Sequence, residues 1–353
     1  MVSKPATSCS WPASWENCIV TRTFTLPAGS GRFLAFLLLV VLVATAFTLA
    51  EPRFLSTQNM SAVTRHMAAN GLAALGLTFV VIVRKFDLSF AGTACFAAMT
   101  IGYLIALGQP LWIAIPAGIV VGAAIGAFNG VVISYFRFPD IVTTIATGSI
   151  AAGLAFVYSN GRTIFQNFMS SGILDLNDAR VFGYSLSFVF LLGLYAVAWF
   201  FMHRTRYGAS FYATGENPVA AYYSGVPTRL YTMLAFVACG VTCVFAVLLI
   251  LAESGTADTN EGANLLMPAY AGVFLGTALL GRTSVLATLA GTFLITMLLD
   301  GFSLLGIPFY YSDGVVSAIL LAGVVFFDAR LREFLSDIGS FLQPASVKKE
   351  KRS

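Results

Sequence analysis

The sequence predicts an all-α, polytopic transmembrane helix bundle, and three observations carry that expectation. Of the 353 residues, 58% are hydrophobic and only 10% are charged, against roughly 25% charged in an ordinary soluble domain. Mean hydropathy is +0.84. The apolar residues fall into separate runs, most of them close to the ~20 residues that cross a bilayer. A soluble domain of this size would need far more charge to cover its surface.

In order, the runs are 33–50, 62–83, 90–107, 111–135, 141–157, 184–201, 232–252, 267–280, 285–299 and 315–327. The first could pass for a secretory segment, since Ala44-Thr45-Ala46 looks like a cleavage site. Its 18 residues exceed the ~7–15 of such a core, so it reads as a retained span. The last three hold only 14, 15 and 13 residues, short of the ~17–25 that span. Either they extend into flanking polar residues, or two of them form a re-entrant hairpin buried in protein. Ten spans is the reading adopted, with eight as the alternative. Glycines recur at four-residue spacing, as in Gly118-Gly122-Gly126-Gly130. That pattern lets helix backbones approach where lipid supplies no hydrophobic drive.

Basic residues orient the bundle. With a cytoplasmic N-terminus and ten spans, 16 of the 20 Lys and Arg lie in cytoplasmic segments, from Lys4, Arg22 and Arg32 to the cluster Arg330 to Arg352. Only Arg53, Arg65, Arg162 and Arg180 fall on the far side. Glu51, Asp175, Asp178, Glu253, Asp258, Glu261, Asp300 and Asp313 run the other way. The asymmetry predicts both termini in the cytoplasm. The expected organisation is a cytoplasmic tail at 1–32, a transmembrane domain at 33–330 containing a cytoplasmic loop at 204–229, and a basic cytoplasmic tail at 331–353.

Several function classes drop out. Net charge is +4, and the basic residues form no single stripe, which argues against a nucleic-acid partner. His66 and His203 lie far apart, so no metal site is expected. Cys9 and Cys18 sit in the tail, while Cys95, Cys239 and Cys243 sit inside apolar runs and read as small packing residues. No Gly-x-x-x-x-Gly-Lys-Ser/Thr occurs, so the chain carries no P-loop for ATP. An intramembrane hydrolase would need a nucleophile beside a base, and Ser224-Gly225 is preceded by Tyr222 rather than glycine.

The loop 204–229 is the most informative stretch. In Gly215-Glu216-Asn217-Pro218-Val219-Ala220-Ala221-Tyr222-Tyr223-Ser224-Gly225, Asn217 suits an N-cap and Pro218 the first helical position. Gly225 supplies a left-handed C-terminal cap. A short, doubly capped helix follows, with Ala220 and Ala221 leaving a shallow surface that fits a groove on another protein. The pattern Gly-x-Asn-x-x-Ala-Ala-x-x-Ser-Gly resembles the cytoplasmic coupling loop of the ribose/xylose/arabinose-type sugar permeases of ABC transporters. Three other stretches resemble that family in the same order: Ala74-Leu75-Gly76-Leu77-Thr78 through Phe86-Asp87-Leu88-Ser89; Asn129-Gly130 through Ile141-Val142-Thr143-Thr144 to Asn160-Gly161-Arg162; and Asp300-Gly301 with Leu304-Leu305-Gly306 and Asp328. The chain departs from it at Arg84-Lys85-Phe86, at Asn264 to Tyr270 and at Asp140, as a divergent branch would.

The resemblance implies an inner-membrane permease subunit of a bacterial ATP-driven importer for a monosaccharide or sugar alcohol. It further implies a separate ATPase that holds ATP and magnesium, a second permease subunit and a periplasmic solute-binding protein. On that footing Gly215, Glu216, Asn217, Pro218, Ala220, Ala221, Ser224 and Gly225 are the candidates for ATPase coupling. Hydrogen-bonding and aromatic residues of a mostly apolar pathway would come from Asn70, Thr78, Phe79, Asp87, Asn129, Thr143, Thr144 and Thr147. Asp87 also reads as the N-cap of the third span. Arg162 and Arg180 are candidates for docking the binding protein. Permeases for branched-chain amino acids or nucleosides are the alternative. So is an ion-coupled carrier, which would need acidic or histidine residues mid-span; the sequence places every acidic residue at a span end or in a loop.

Overall fold

The computed structural model describes residues 30–181 and 183–327. The expected tails, with Lys4, Arg22, Cys9, Cys18 and the basic C-terminal cluster, lie outside the described residues except for 30–32. All ten apolar runs are helices: α1 (Ser30–Ala50), α2 (Thr57–Ile82), α3 (Phe90–Ala106), α4 (Leu111–Ser134), α5 (Asp140–Ser159), then, after short helices α6 (Phe168–Ser171) and α7 (Asp175–Asp178) and the hairpin β1 (Arg180–Val181) and β2 (Tyr184–Ser185), α8 (Leu186–Arg204). Two more helices, α9 (Arg206–Glu216) and α10 (Pro218–Tyr223), precede α11 (Thr228–Ser254), α12 (Ala263–Leu280), α13 (Val285–Leu304) and α14 (Phe309–Phe327). Among the described residues, eight helices are long and apolar enough to cross a membrane. The chain is thus an all-α, multi-pass membrane bundle.

The three short runs are continuous helices of 18, 20 and 19 residues, not a re-entrant hairpin. Each runs on into polar positions the sequence reading placed in loops. The Ser284 hydroxyl caps α13 by accepting from the Ala287 amide at 3.2 Å. At its far end α13 continues through Asp300, whose carboxylate has a partner in His66 on α2. Asp300, Glu253 and Asp313 lie in the end turns of α13, α11 and α14, in keeping with the expectation that carboxylates sit at span ends or in loops.

Burial sets the order of the bundle. In the most apolar 18-residue stretch of α2, 83% of the residues are buried, and α2 stands at the centre; in that of α1 only 11% are, at the periphery. α4 crosses α11 on its glycine stripe. A Cβ on Gly122 would strike the Gly240 carbonyl, one on Gly240 the Gly122 carbonyl, and one on Gly126 the Phe236 carbonyl. The close approach expected of that spacing is what it provides.

Successive long helices alternate in direction, so loops gather on two faces. One face carries α9, α10, the α2–α3 connection and the α12–α13 turn. The opposite face carries α6, α7, the β-hairpin and the start of the 255–262 loop, which is joined to the 160–167 segment by the Ile164–Ala257 bridge and the Thr163–Asp258 hydrogen bond of 2.8 Å; the loop then descends along α3, where a Cβ on Gly262 would strike the Ala91 carbonyl.

Candidate coupling surface and polar interior

The α9–α10 segment is built as its residues dictate. The Asn217 side chain accepts from the Ala220 amide at 2.9 Å, and Pro218 occupies the first turn. At the other end Gly225 has φ +85°. Its amide donates to the Tyr222 carbonyl and the Val226 amide donates to the Ala221 carbonyl, both at 3.0 Å. That pair closes a Schellman cap. Ser224 and Glu216 are exposed.

Half of the expected alanine face is outward, since Ala220 is exposed. Ala221 is buried, and Val219, Tyr222 and Tyr223 are 65%, 63% and 84% exposed. Hydrogen bonding fixes this rotation, because the two caps lock a helix of six residues in one orientation. What projects is an aromatic knob.

α9 is absent from the sequence reading, although its signals were there. Thr205 caps it, accepting from the Gly208 amide at 3.4 Å. Gly208, Phe211, Thr214 and Gly215 are its buried residues, at helical spacing. α9 ties α10 to the ends of the long helices. A Cβ on Gly215 would run into the Ile82 carbonyl, so α9 lies directly on the end of α2. Phe211 packs on Phe79 with ring centroids 6.0 Å apart, which puts Phe79 against α9. On the other flank the Arg282 guanidinium lies 4.1 Å from the Tyr212 ring centre and 3.6 Å from Glu216. Burial pushes the Tyr212 hydroxyl up, with Arg282 acting in the opposite sense. Residues of α2, α9 and the α12–α13 turn line a shared cleft of about 160 Å³.

The pathway candidates do not converge on one spot. Asp87 and Asn129 do meet, in a buried knot. The Asp87 carboxylate accepts from the Ser89 amide at 2.9 Å and from its hydroxyl at 2.5 Å. Asn129 donates to the same hydroxyl at 2.8 Å. The Asp87 amide donates to the Tyr270 hydroxyl at 2.8 Å. Asp87 is 3% exposed and forms a turn ahead of α3, whose N-cap residue is Ser89. It is not the N-cap itself. Ser89 and Tyr270 lie in stretches the sequence marks, but only packing brings them to Asp87.

Thr78 hydrogen-bonds Thr288 at 2.6 Å, and Asn70 is half-buried one turn beyond His66 on α2. Thr143, Thr144 and Thr147 return their hydroxyls to carbonyls four residues back, at 2.9, 2.8 and 3.0 Å. Thr147 also borders an apolar groove with Phe96, Phe128 and Leu154. Asp140, one of the departures, accepts from the Phe86 amide at 2.9 Å and so pins the α2–α3 connection to α5. Arg162 and Arg180 are exposed on the face opposite α10. No cluster of three or more potential metal ligands occurs among the described residues.

Comparison with known proteins gives this geometry a context. Residues 59–324 match the family described as branched-chain amino acid transport system / permease component. The ribose import permease protein RbsC of Haemophilus influenzae is 26% identical over 303 residues, covering 84% of this chain and 94% of that protein. The autoinducer 2 import system permease protein LsrD of Photorhabdus laumondii is 28% identical over 293 residues, with 81% and 88% covered. LsrD of Salmonella typhimurium is 30% identical over 300 residues, with 83% and 90% covered. No solved structure matches the chain.

Proposed function

Since the chain belongs to the branched-chain amino acid transport system / permease component family, we propose that it is the membrane-spanning subunit of an ATP-driven bacterial importer for a monosaccharide or sugar alcohol. The face carrying α9 and α10 is cytoplasmic, in keeping with the distribution of Lys and Arg, and the membrane is the bacterial inner membrane. A separate ATPase holds ATP and magnesium; this chain contributes no nucleotide site. A second permease subunit completes the pathway. A periplasmic binding protein delivers the solute to the opposite face, where Arg162 and Arg180 are exposed. The solute class follows the names of the ribose and autoinducer 2 relatives.

One observation carries the reading: a doubly capped helix projects Val219, Tyr222 and Tyr223 from the bundle while α9 anchors it to α2 and the α12–α13 turn. Three exposed apolar side chains on six residues are unusual in water and suit the groove of a partner. Because α9 lies on the Ile82 carbonyl with no intervening side chain, a push on α10 reaches the central helix as a rigid-body displacement.

Purification of the chain from its native host in mild detergent, with proteins identified by mass spectrometry, tests the proposal. A P-loop ATPase should accompany it, and reconstituted vesicles should take up a pentose, hexose or sugar alcohol only with ATP. Absence of any ATPase after gentle cross-linking, with uptake driven by an ion gradient alone, would overturn it. Uptake of leucine but of no sugar would move the solute to the class that the family description names.

A further inference from the structure

The seam between α2 and α13 carries matched polar residues that the functional reading above does not use. Two contacts fix its register: His66 Nδ1 to Asp300 Oδ1 at 2.7 Å, and Thr78 to Thr288 at 2.6 Å. Each pair of positions is twelve residues apart along its own helix, and the helices run antiparallel. Steps of four residues keep to one helix face, so the same register sets Asn70 opposite Thr296 and Ala74 opposite Thr292. The end rungs are made and the inner ones are not. Thr296 is 1% exposed and Asp300 8%, yet Thr296 Oγ1 and Asp300 Oδ2 are buried without a hydrogen-bond partner. Thr292 Oγ1 lacks one as well; an orphaned buried polar atom costs about 1–3 kcal/mol, so three on one seam require an explanation.

The two ends of the seam differ. At the cytoplasmic end Thr78 and Thr288 are fully buried. At the outer end the His66 side chain is 44% exposed, and its Nε2 faces Glu253 of α11, itself 39% exposed, at 3.4 Å. Ionisable groups within a membrane span face protein or water rather than lipid, so this end opens toward water. Both imidazole nitrogens face carboxylate oxygens, which only accept, so both donate. Arg65 lies close enough to act on Glu253, and the two carboxylates are thereby matched by two bases. A site with no excess charge, offering a carboxamide and a hydroxyl at one level and a free carboxylate oxygen one turn away, has the donors and acceptors that neutral, adjacent hydroxyls require.

We infer that the outer half of the α2–α13 seam is a subsite for a neutral polyhydroxylated solute, with Asn70, Thr296 and Asp300 meeting its hydroxyls when the two helices part during transport. This rests on the importer reading and adds to it the residues that contact the solute.

The test uses the complete complex in liposomes with its binding protein, and a panel of pentoses, hexoses and sugar alcohols. Thr296→Val keeps shape and removes the hydroxyl; Thr296→Ser restores it. For a sugar that the unsubstituted complex takes up, Thr296→Val should raise the KM of uptake about tenfold and Thr296→Ser should return it, with both complexes recovered in normal yield. Thr296→Cys should react with a membrane-impermeant thiosulfonate added outside, above the labelling of the unsubstituted chain, and that sugar should slow the reaction. Sugar uptake with an unchanged KM in Thr296→Val, or with an unreactive Thr296→Cys, overturns the subsite while leaving the importer reading intact. No uptake of any panel member by the unsubstituted complex overturns the sugar reading and the subsite with it.

Discussion

Asn217 and Gly225 hold the ends of a helix too short to persist alone in water, and each acts through a different force. Loss of the Asn217 cap in Asn217→Ala removes one hydrogen bond and should cost about 1 kcal/mol of local stability. Gly225 is a backbone matter. Nothing lies within 4 Å of a Cβ placed there, so a substitution meets no clash, only the left-handed φ of +85°. A β-branched residue pays roughly 1–2 kcal/mol in that region, whereas asparagine visits it readily. Gly225→Val should therefore lower solute moved per ATP hydrolysed, with insertion intact, and Gly225→Asn should stay near normal; equal coupling in both would remove the loop from the mechanism. Glu261, in the 255–262 loop, gives a pH dependence. Burial and the neighbouring Asp258 push its carboxyl up to about 7, while Asp258 is held low by the Asn260 amide and Thr163. A raised carboxyl favours its neutral form in the folded chain. Its stabilising share is full below about 4.5 and lost as pH rises through about 7. Thermal midpoints of the purified protein should fall from pH 5 to 8, and Glu261→Gln should flatten that slope.

Among the elements, the sequence makes legible whatever local pattern determines. Ten apolar runs became ten helices, and the caps of α10 sit where Asn217, Pro218 and Gly225 place them. Features that depend on distant partners were not legible. α13 runs past Asp300 because His66, far away in sequence, meets its carboxylate, and Ser89 and Tyr270 join Asp87 only once α3, α4 and α12 have packed. Which of Ala220 and Ala221 faces outward on α10 was not legible, because both caps must act together before the rotation of so short a helix is known. The glycine stripe of α4 was legible as a rule of close approach, and the structure supplies its partner, α11. Gly122→Ala should force the Gly122–Gly240 crossing apart and cost about 1–3 kcal/mol, as overpacking does. It should appear as a lower Tm in detergent. Gly153, with nothing within 4 Å of an added Cβ, is the matched control, and Gly153→Ala should leave Tm level or raised. Equal effects at the two glycines would mean that α4 and α11 do not cross as described.

At the scale of the whole molecule the decisive feature is that one short segment touches two parts of the bundle that are distant in sequence. α9 lies against the end of α2, the central helix, through Gly215. It also meets the α12–α13 turn through the Arg282 stack on Tyr212. These attachments differ in strength. The Arg282–Glu216 pair is 63% and 69% exposed, and a surface ion pair contributes at most about 1 kcal/mol. Gly215 sits on backbone, the Ile82 carbonyl at the last residue of α2, rather than on the end of a flexible side chain. If motion of α10 is carried to α2, it passes through this contact. Gly215→Ala would lift α9 from α2 without altering Val219, Tyr222 or Tyr223, the side chains offered to a partner. The variant should keep its ATPase through purification and keep hydrolysing ATP, while uptake falls more than tenfold. Arg282→Gln should lose far less, and Gly193→Ala, where nothing lies within 4 Å of the new Cβ, should lose nothing. Parallel measurement of uptake and phosphate release in one set of proteoliposomes separates the possibilities. Loss of ATPase binding in Gly215→Ala would make Gly215 part of the docking surface. Normal uptake would show that α9 is not the route by which α2 is moved.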